Sequence, residues 1–171
     1  VPYYANMVIK VSTSDGSMLE YSTWPVGFIK GVAAFTGGVF ASGAIWLVPG
    51  DADRVIKIST SDGSMVGFNT WPVGFTKSAT SSFYGGTFDG EAIWMVPGDV
   101  AFVVKIFTSN GTMVGYNNWP AGFAHPSTFA YYGAVFDGDA IWLVPNYATT
   151  VLKIFTRNGT MVANEALAYL T

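Results

Sequence analysis

The side chains able to do chemistry are sparse in this sequence. Its 171 residues hold one histidine, no cysteine, eleven Asp and Glu and eight Lys and Arg, for a net charge of −3. Metal ligation and acid–base catalysis need clustered ligands or paired groups of tuned pKa. His125 stands in the loop AGFAHPS with no second histidine in the chain to share a metal or complete a triad. Asp51-x-Asp53 and Asp137-x-Asp139 offer oxygens of the kind calcium takes, but neither sits in a complete ligand loop. The Gly-Gly pairs at 37–38 and 85–86 precede no G-K-[ST] and open no helical pattern, so they do not read as phosphate loops. They suit inner strands that pack closely around an axis. These residues point to no catalytic group, no metal and no cofactor.

The remaining candidates are aromatic and polar. Trp24, Trp71 and Trp119 each stand before a proline in a loop of the TWPVGF or NWPAGF type. Two readings stay open for them: a packing lid folded over the sheet edge, or repeated platforms for sugars or a partner chain, using the amphipathic ring. Trp46, Trp94 and Trp142 lie inside apolar runs (AIWLVP or AIWMVP) and read as core. Asp89 and Asp137, in the FDG turns ahead of two of those runs, are candidate polar contacts. Lys10, Lys57, Lys105 and Lys153 recur within V-x-K-[VI], as solvated positions whose stems cover apolar surface or as a ring of ligand-binding lysines. Asn110-Gly-Thr112 and Asn158-Gly-Thr160 match the N-glycosylation acceptor pattern, although Asn-Gly also simply suits a tight turn.

The elements that position these residues come from an internal repeat. Aligned on Val8, Val55, Val103 and Val151, the chain repeats with spacings of 47, 48 and 48 residues. Each unit reads as four short strands: a Gly-rich run such as YGGTF, the run AIWMVP, a V-x-K-I strand, and a strand such as SMVGF entered through an Asp-Gly or Asn-Gly hairpin turn. The AIWMVP run is apolar on both faces, as a strand sandwiched between sheets should be. The charge-free stretch 31–50 has the length of a membrane span, but its counterparts carry acids and glycines, and it reads as strands and a turn. The expectation is one all-β repeat domain: a half unit (1–30) and full units at about 31–77, 78–125 and 126–171. Four-stranded units of this size suggest a partial β-propeller of about three and a half blades, with a β-trefoil or an open stack of small sheets as alternatives.

The segment FDGEAIWMVPGDVAFVVKIFTSNGTMVG (88–115) resembles a blade of the NHL and virginiamycin B lyase-like propellers. Such blades run as FDG, I-W-V, a polar turn, V-x-K-I and a D-G or N-G hairpin. The resemblance implies that YGGTF is the inner strand, IWMVP the second, VVKIFT the third and GTMVGYN the outer one. Lyases of that class are expected to use histidine and acid around a metal, and this chain has no second histidine to match, so the activity does not carry over.

Only 11% of the residues are charged while half are hydrophobic, which favours association with a glycan, a neighbouring subunit or a fibre. Eight scattered cations make no basic stripe, so nucleic acid is excluded. The opening VPYYANMVIK enters the repeat in mid-motif, without the AIWL that should precede it, and reads as cut or processed. The final ANEALAYLT leaves the repeat and reads as a divergent C-terminus. The expected function is that of a noncatalytic extracellular or cell-surface structural protein. Its partners would be other copies of itself or a longer parent chain. A multivalent, lectin-like glycan-binding propeller is the alternative.

Overall fold

A computed structural model describes residues 1–78, 80–125 and 128–164. All regular elements among them are β-strands, fourteen in number. β1 (Val8–Val11) and β2 (Met18–Tyr21) form a two-stranded hairpin. Three four-stranded antiparallel sheets follow, each in simple up-and-down order. The first holds β3 (Phe35–Ala41), β4 (Ala44–Pro49), β5 (Val55–Ser59) and β6 (Met65–Phe68). The second holds β7 (Phe83–Phe88), β8 (Ala92–Pro97), β9 (Val103–Phe107) and β10 (Met113–Tyr116). The third holds β11 (Tyr131–Phe136), β12 (Ala140–Pro145), β13 (Val151–Phe155) and β14 (Met161–Asn164). The charge-free stretch 31–50 is therefore β3, a turn and β4, and no helix among the described residues is long and apolar enough to cross a membrane. The expected start of the third unit at 126 and residues 165–171 of the divergent tail lie outside the described residues, while the tail's first two, Ala163 and Asn164, belong to β14.

Local chemistry explains the outer hairpins. Gly16, Gly63, Gly111 and Gly159 close them at φ between 71° and 77°, a region that costs a side-chain-bearing residue energy. Ahead of each glycine, the Asp or Asn side chain accepts a hydrogen bond from the amide two residues on: Asp15 from Ser17, Asp62 from Ser64, Asn110 from Thr112 and Asn158 from Thr160, all at 2.9–3.0 Å.

The sheets lie face to face, and the core is the set of apolar layers between them. One layer joins Trp46, Val48 and Val55 of the first full sheet to Phe83, Ile93, Met95, Val104 and Ile106 of the second. The next joins Trp94, Val96 and Val103 to Tyr131, Ile141, Leu143, Leu152 and Ile154. A third layer, Phe35, Leu47, Ile56 and Ile58, faces Val8 of the hairpin. Each of the two joints between full blades thus mates the tryptophan side of one blade with the aliphatic side of the next. The inner strands β3, β7 and β11 run beside one another, and a Cβ on Gly37 would lie 2.7 Å from the Gly85 Cα. The Gly-Gly pairs do serve close approach near the axis.

Because each unit hydrogen-bonds its strands only to its own, the sheets are blades, and the trefoil alternative falls away. The molecule is a partial β-propeller whose blades do not close into a ring.

Candidate functional site

The loop tryptophans are built into the joints. Trp24 stacks on Phe28 and Phe35, and Trp71 on Phe83 with Phe75 tilted beside it. Trp119 stacks on Phe123, which in turn stacks on Tyr131, and His125 lies 4.6 Å from the Trp119 ring. The indole nitrogens of Trp24 and Trp119 donate to the carbonyls of Asn6 and Ala101, each eighteen residues earlier in the same unit. All three rings stay partly exposed.

Asp89 and Asp137 work inside their own blades. Asp89 accepts from the Glu91 and Ala92 amides with one oxygen and from the Trp94 indole, at 2.6 Å, with the other. Asp137 does the same with Asp139, Ala140 and Trp142. These bonds hold the Asp137 carboxyl well below the usual carboxylate range. In the first full unit Ala41 takes this place, and the Trp46 indole donates to its carbonyl at 3.4 Å instead. The Asp–indole pair escaped the sequence reading; its signal is the five-residue spacing D-x-x-x-x-W in two units and not the third.

Asn110 and Asn158 are exposed at their turns. The glycine after each, like Gly63 after Asp62, lies against an aromatic ring of the preceding unit: Gly63 under Tyr21, Gly111 under Phe68 and Gly159 under Tyr116. The lysines pair with the core indoles across the sheet, Trp46 with Lys57, Trp94 with Lys105 and Trp142 with Lys153. Each ammonium lies 4.8–5.2 Å from the indole centroid, a cation–π contact. Lys105 is only 8% exposed, so the solvated reading fails there because the next blade covers that face.

A second cation stitches one joint. The Lys77 ammonium donates to the carbonyls of Gly50 and Ser78 at 2.6 and 2.8 Å. Burial lowers its pKa from 10.5 to about 8, against the opposing pull of Asp51 and Asp53. The unfolded chain therefore binds this proton more tightly, and the penalty is complete below about pH 8 and gone above 10.5. Stability should rise with pH across that window, and Lys77→Met should flatten the rise in thermal midpoint.

The two ends of the fan differ from its middle. Ile9 and Val11, on the outward face of the hairpin, are 44% and 53% exposed, whereas Ile56, Ile58, Val104, Ile106, Leu152 and Ile154 at the same repeat positions are 3% or less. Met18 shares this face. On the opposite end, Val144 is 46% exposed against 1% for Val48 and 0% for Val96, and Trp142 is partly uncovered where Trp46 and Trp94 are sealed. The hairpin shows the aliphatic half of a joint and the last blade shows the tryptophan half. Near the loops, the exposed rings of Tyr132 and Phe129 pack on Tyr84, and the exposed ring of Tyr147 packs on Phe129. Among the described residues, no three His, Cys, Asp or Glu side chains gather as a metal site.

No protein-family model and no curated protein matches this chain. Solved structures do. Streptogramin B lyase is 20% identical at a TM-score of 0.65, over 94% of this chain and 48% of that one. A structure of the nidogen/laminin complex is 9% identical at 0.59, over 94% and 59%. An extracellular domain from B. thetaiotaomicron is 11% identical at 0.56, over 81% and 18%. The chain thus spans about half the length of the lyase and less than two thirds of the others. At these identities the likeness is one of fold, that of a β-propeller.

Proposed function

We propose that the chain is a noncatalytic repeat protein of the extracellular or cell-surface kind whose copies assemble head to tail through the two open blade faces. The observation that carries this is the exposure of Ile9 and Val11 where every full unit buries the same aliphatic positions. The open faces are the two halves of one joint, and the molecule already makes that joint twice between its full blades. The hairpin face offers Ile9, Val11 and Met18 beside Glu20, and the last blade offers Val135, Trp142 and Val144. An interface between unlike faces closes into a ring if the rotation allows and otherwise grows a fibre. The low charge of the surface favours such contact. An extracellular domain and a chain of the nidogen/laminin complex share the fold, which agrees with the localisation.

Sedimentation velocity over a wide concentration range tests this proposal. The wild-type chain should form multimers whose size grows with concentration, and Val11→Asp should sediment as a monomer with an unchanged circular dichroism spectrum. A wild-type chain that stays monomeric throughout would overturn it.

The alternative, multivalent glycan binding, is favoured by the exposed rings around Tyr84 and by the partly exposed Trp24, Trp71 and Trp119, since such rings stack against sugars. A glycan array probed with the Val11→Asp chain tests it: binding lost on Tyr132→Ala supports this reading, and silence across the array removes it.

A further inference from the structure

One amine is placed unlike the others. Lys57, Lys105 and Lys153 lie against core indoles, and Lys105 is sealed there. Lys10 is exposed, and Lys30 donates to the Tyr4 carbonyl and the Asn6 side chain at 2.8 and 2.9 Å. Lys77, the repeat equivalent of Lys30, lines a cleft of about 430 Å³ with Ile29, Gly31, Asp51, Asp53 and Ser78. The loops β2–β3, β4–β5 and β6–β7 build this cleft, and it owes nothing to either end of the chain. Both carbonyls that hold the Lys77 ammonium have a second donor. Gly50 also receives the Ser82 amide at 3.2 Å, and Ser78 the Ser82 hydroxyl at 3.1 Å. The lysine nitrogen can therefore give up hydrogens without orphaning either acceptor. Asp51 is committed to the amides of Ala33 and Ser81, and Asp53 to the Ile29 amide and the Arg54 guanidinium. No ion pair among the described residues ties either carboxylate to Lys77, so they act on its charge from a distance. Burial outweighs their pull and brings its pKa to about 8, which leaves an appreciable share of the amine neutral and nucleophilic near neutral pH.

We propose that Lys77 is a covalent capture site for small neutral aldehydes, open-chain sugars included. The neutral amine adds to the carbonyl carbon, and the carbinolamine so formed loses water to leave a protonated imine. Overall, ammonium and aldehyde become iminium and water, so the positive charge near Asp51 and Asp53 is conserved. The iminium keeps one N–H for one of the two carbonyls, and Ser82 serves the other. The carboxylates set the substrate class. They favour a product that stays cationic, and they repel an aldehyde that carries a carboxylate of its own. Acylation, which would delete the charge, is disfavoured on the same ground. Ile29 adds an apolar wall against which a short carbon chain can lie. Capture at Lys77 is independent of head-to-tail assembly, which uses the blade faces.

The test treats the wild-type chain near neutral pH with glycolaldehyde and, in a parallel sample, with glyoxylate, an aldehyde of the same carbon count that carries a negative charge. Cyanoborohydride traps the imine as a stable secondary amine, and peptide mass spectrometry follows the adduct at each lysine. Glycolaldehyde should label Lys77 about tenfold faster than the exposed Lys10. Glyoxylate should show no such preference, and urea should abolish the preference for glycolaldehyde by removing the cleft. Lys77→Arg, which keeps the charge and the donors, should delete the fast phase and leave labelling of Lys10 unchanged. Lys77 reacting no faster than Lys10, an equal preference with glyoxylate, or a preference that survives urea would overturn the proposal. Should Lys77→Arg disturb the joint, the wild-type comparisons still decide the matter.

Discussion

Trp94→Ala lowers the stability of the chain by about 3–5 kcal/mol, the usual cost of emptying a sealed aromatic site. Trp142→Ala, the same change at the same repeat position, costs about 1–2 kcal/mol. The two side chains have matching local partners: a lysine beneath the ring and an aspartate at 2.6 Å on the indole nitrogen. What differs is the outer strand, where Tyr116 stacks on Trp94 and Asn164 stands at the equivalent position of the last blade, and the far side. Ile141 and Leu143 of the third full blade close over Trp94, and removing the ring leaves a void that a close-packed joint relaxes into only partly. Nothing among the described residues closes over Trp142 to the same degree, so water already reaches part of the ring. Urea unfolding of the two variants, in the monomeric Val11→Asp background, measures the gap. Equal losses would mean that the last blade is covered as fully as the middle ones.

Gly111→Ala destabilises the protein by about 2–4 kcal/mol, and the equivalent Gly16→Ala by about 1 kcal/mol. Both glycines sit at positive φ, +77° and +71°, so each substitution carries the same backbone penalty. At Gly111 the new methyl would also run into the ring of Phe68 on the preceding blade, which must swing out of the joint. At Gly16 nothing lies within 4 Å. The difference between the variants therefore reads the contact between neighbouring blades, with the turn strain cancelled. Thermal midpoints of the two, taken in the same monomeric background, should separate in that order; a Gly16→Ala loss as large as that of Gly111→Ala would place a ring over the first hairpin too.

Much of the architecture is legible in the residues themselves. The Asp-Gly and Asn-Gly dipeptides mark the outer hairpins, and the continuous apolar run AIWMVP announces a strand buried on both faces, as β8 is. Alternation was a poorer guide at Lys105. A period of two assigns the lysine to the opposite face from Val104 and Ile106, but it does not tell whether that face meets water or another sheet, and here a blade lies on it. The loop tryptophans show the same limit. Whether Trp119 is a lid depends on Phe123, four residues away, reaching its ring in three dimensions, and on Tyr131 stacking behind Phe123. The bond from Trp94 to Asp89 and the seat of Gly111 under Phe68 are contacts in three dimensions that alternation does not encode. The open faces became visible only by comparing the burial of equivalent positions, because Ile9 and Ile56 are the same residue type in the same local sequence.

The central claim is that the outward face of the hairpin and the outward face of the last blade are complementary halves of one joint. It is tested most directly by mixing two variants, Val11→Asp and Val144→Asp, and weighing the products by light scattering. Each alone has lost one half and should remain a monomer. Mixed in equal amounts, they keep one intact half each and should form a dimer containing one of each variant, with nothing larger. A mixture that stays monomeric while the wild type assembles, or either variant assembling alone as the wild type does, would contradict the account.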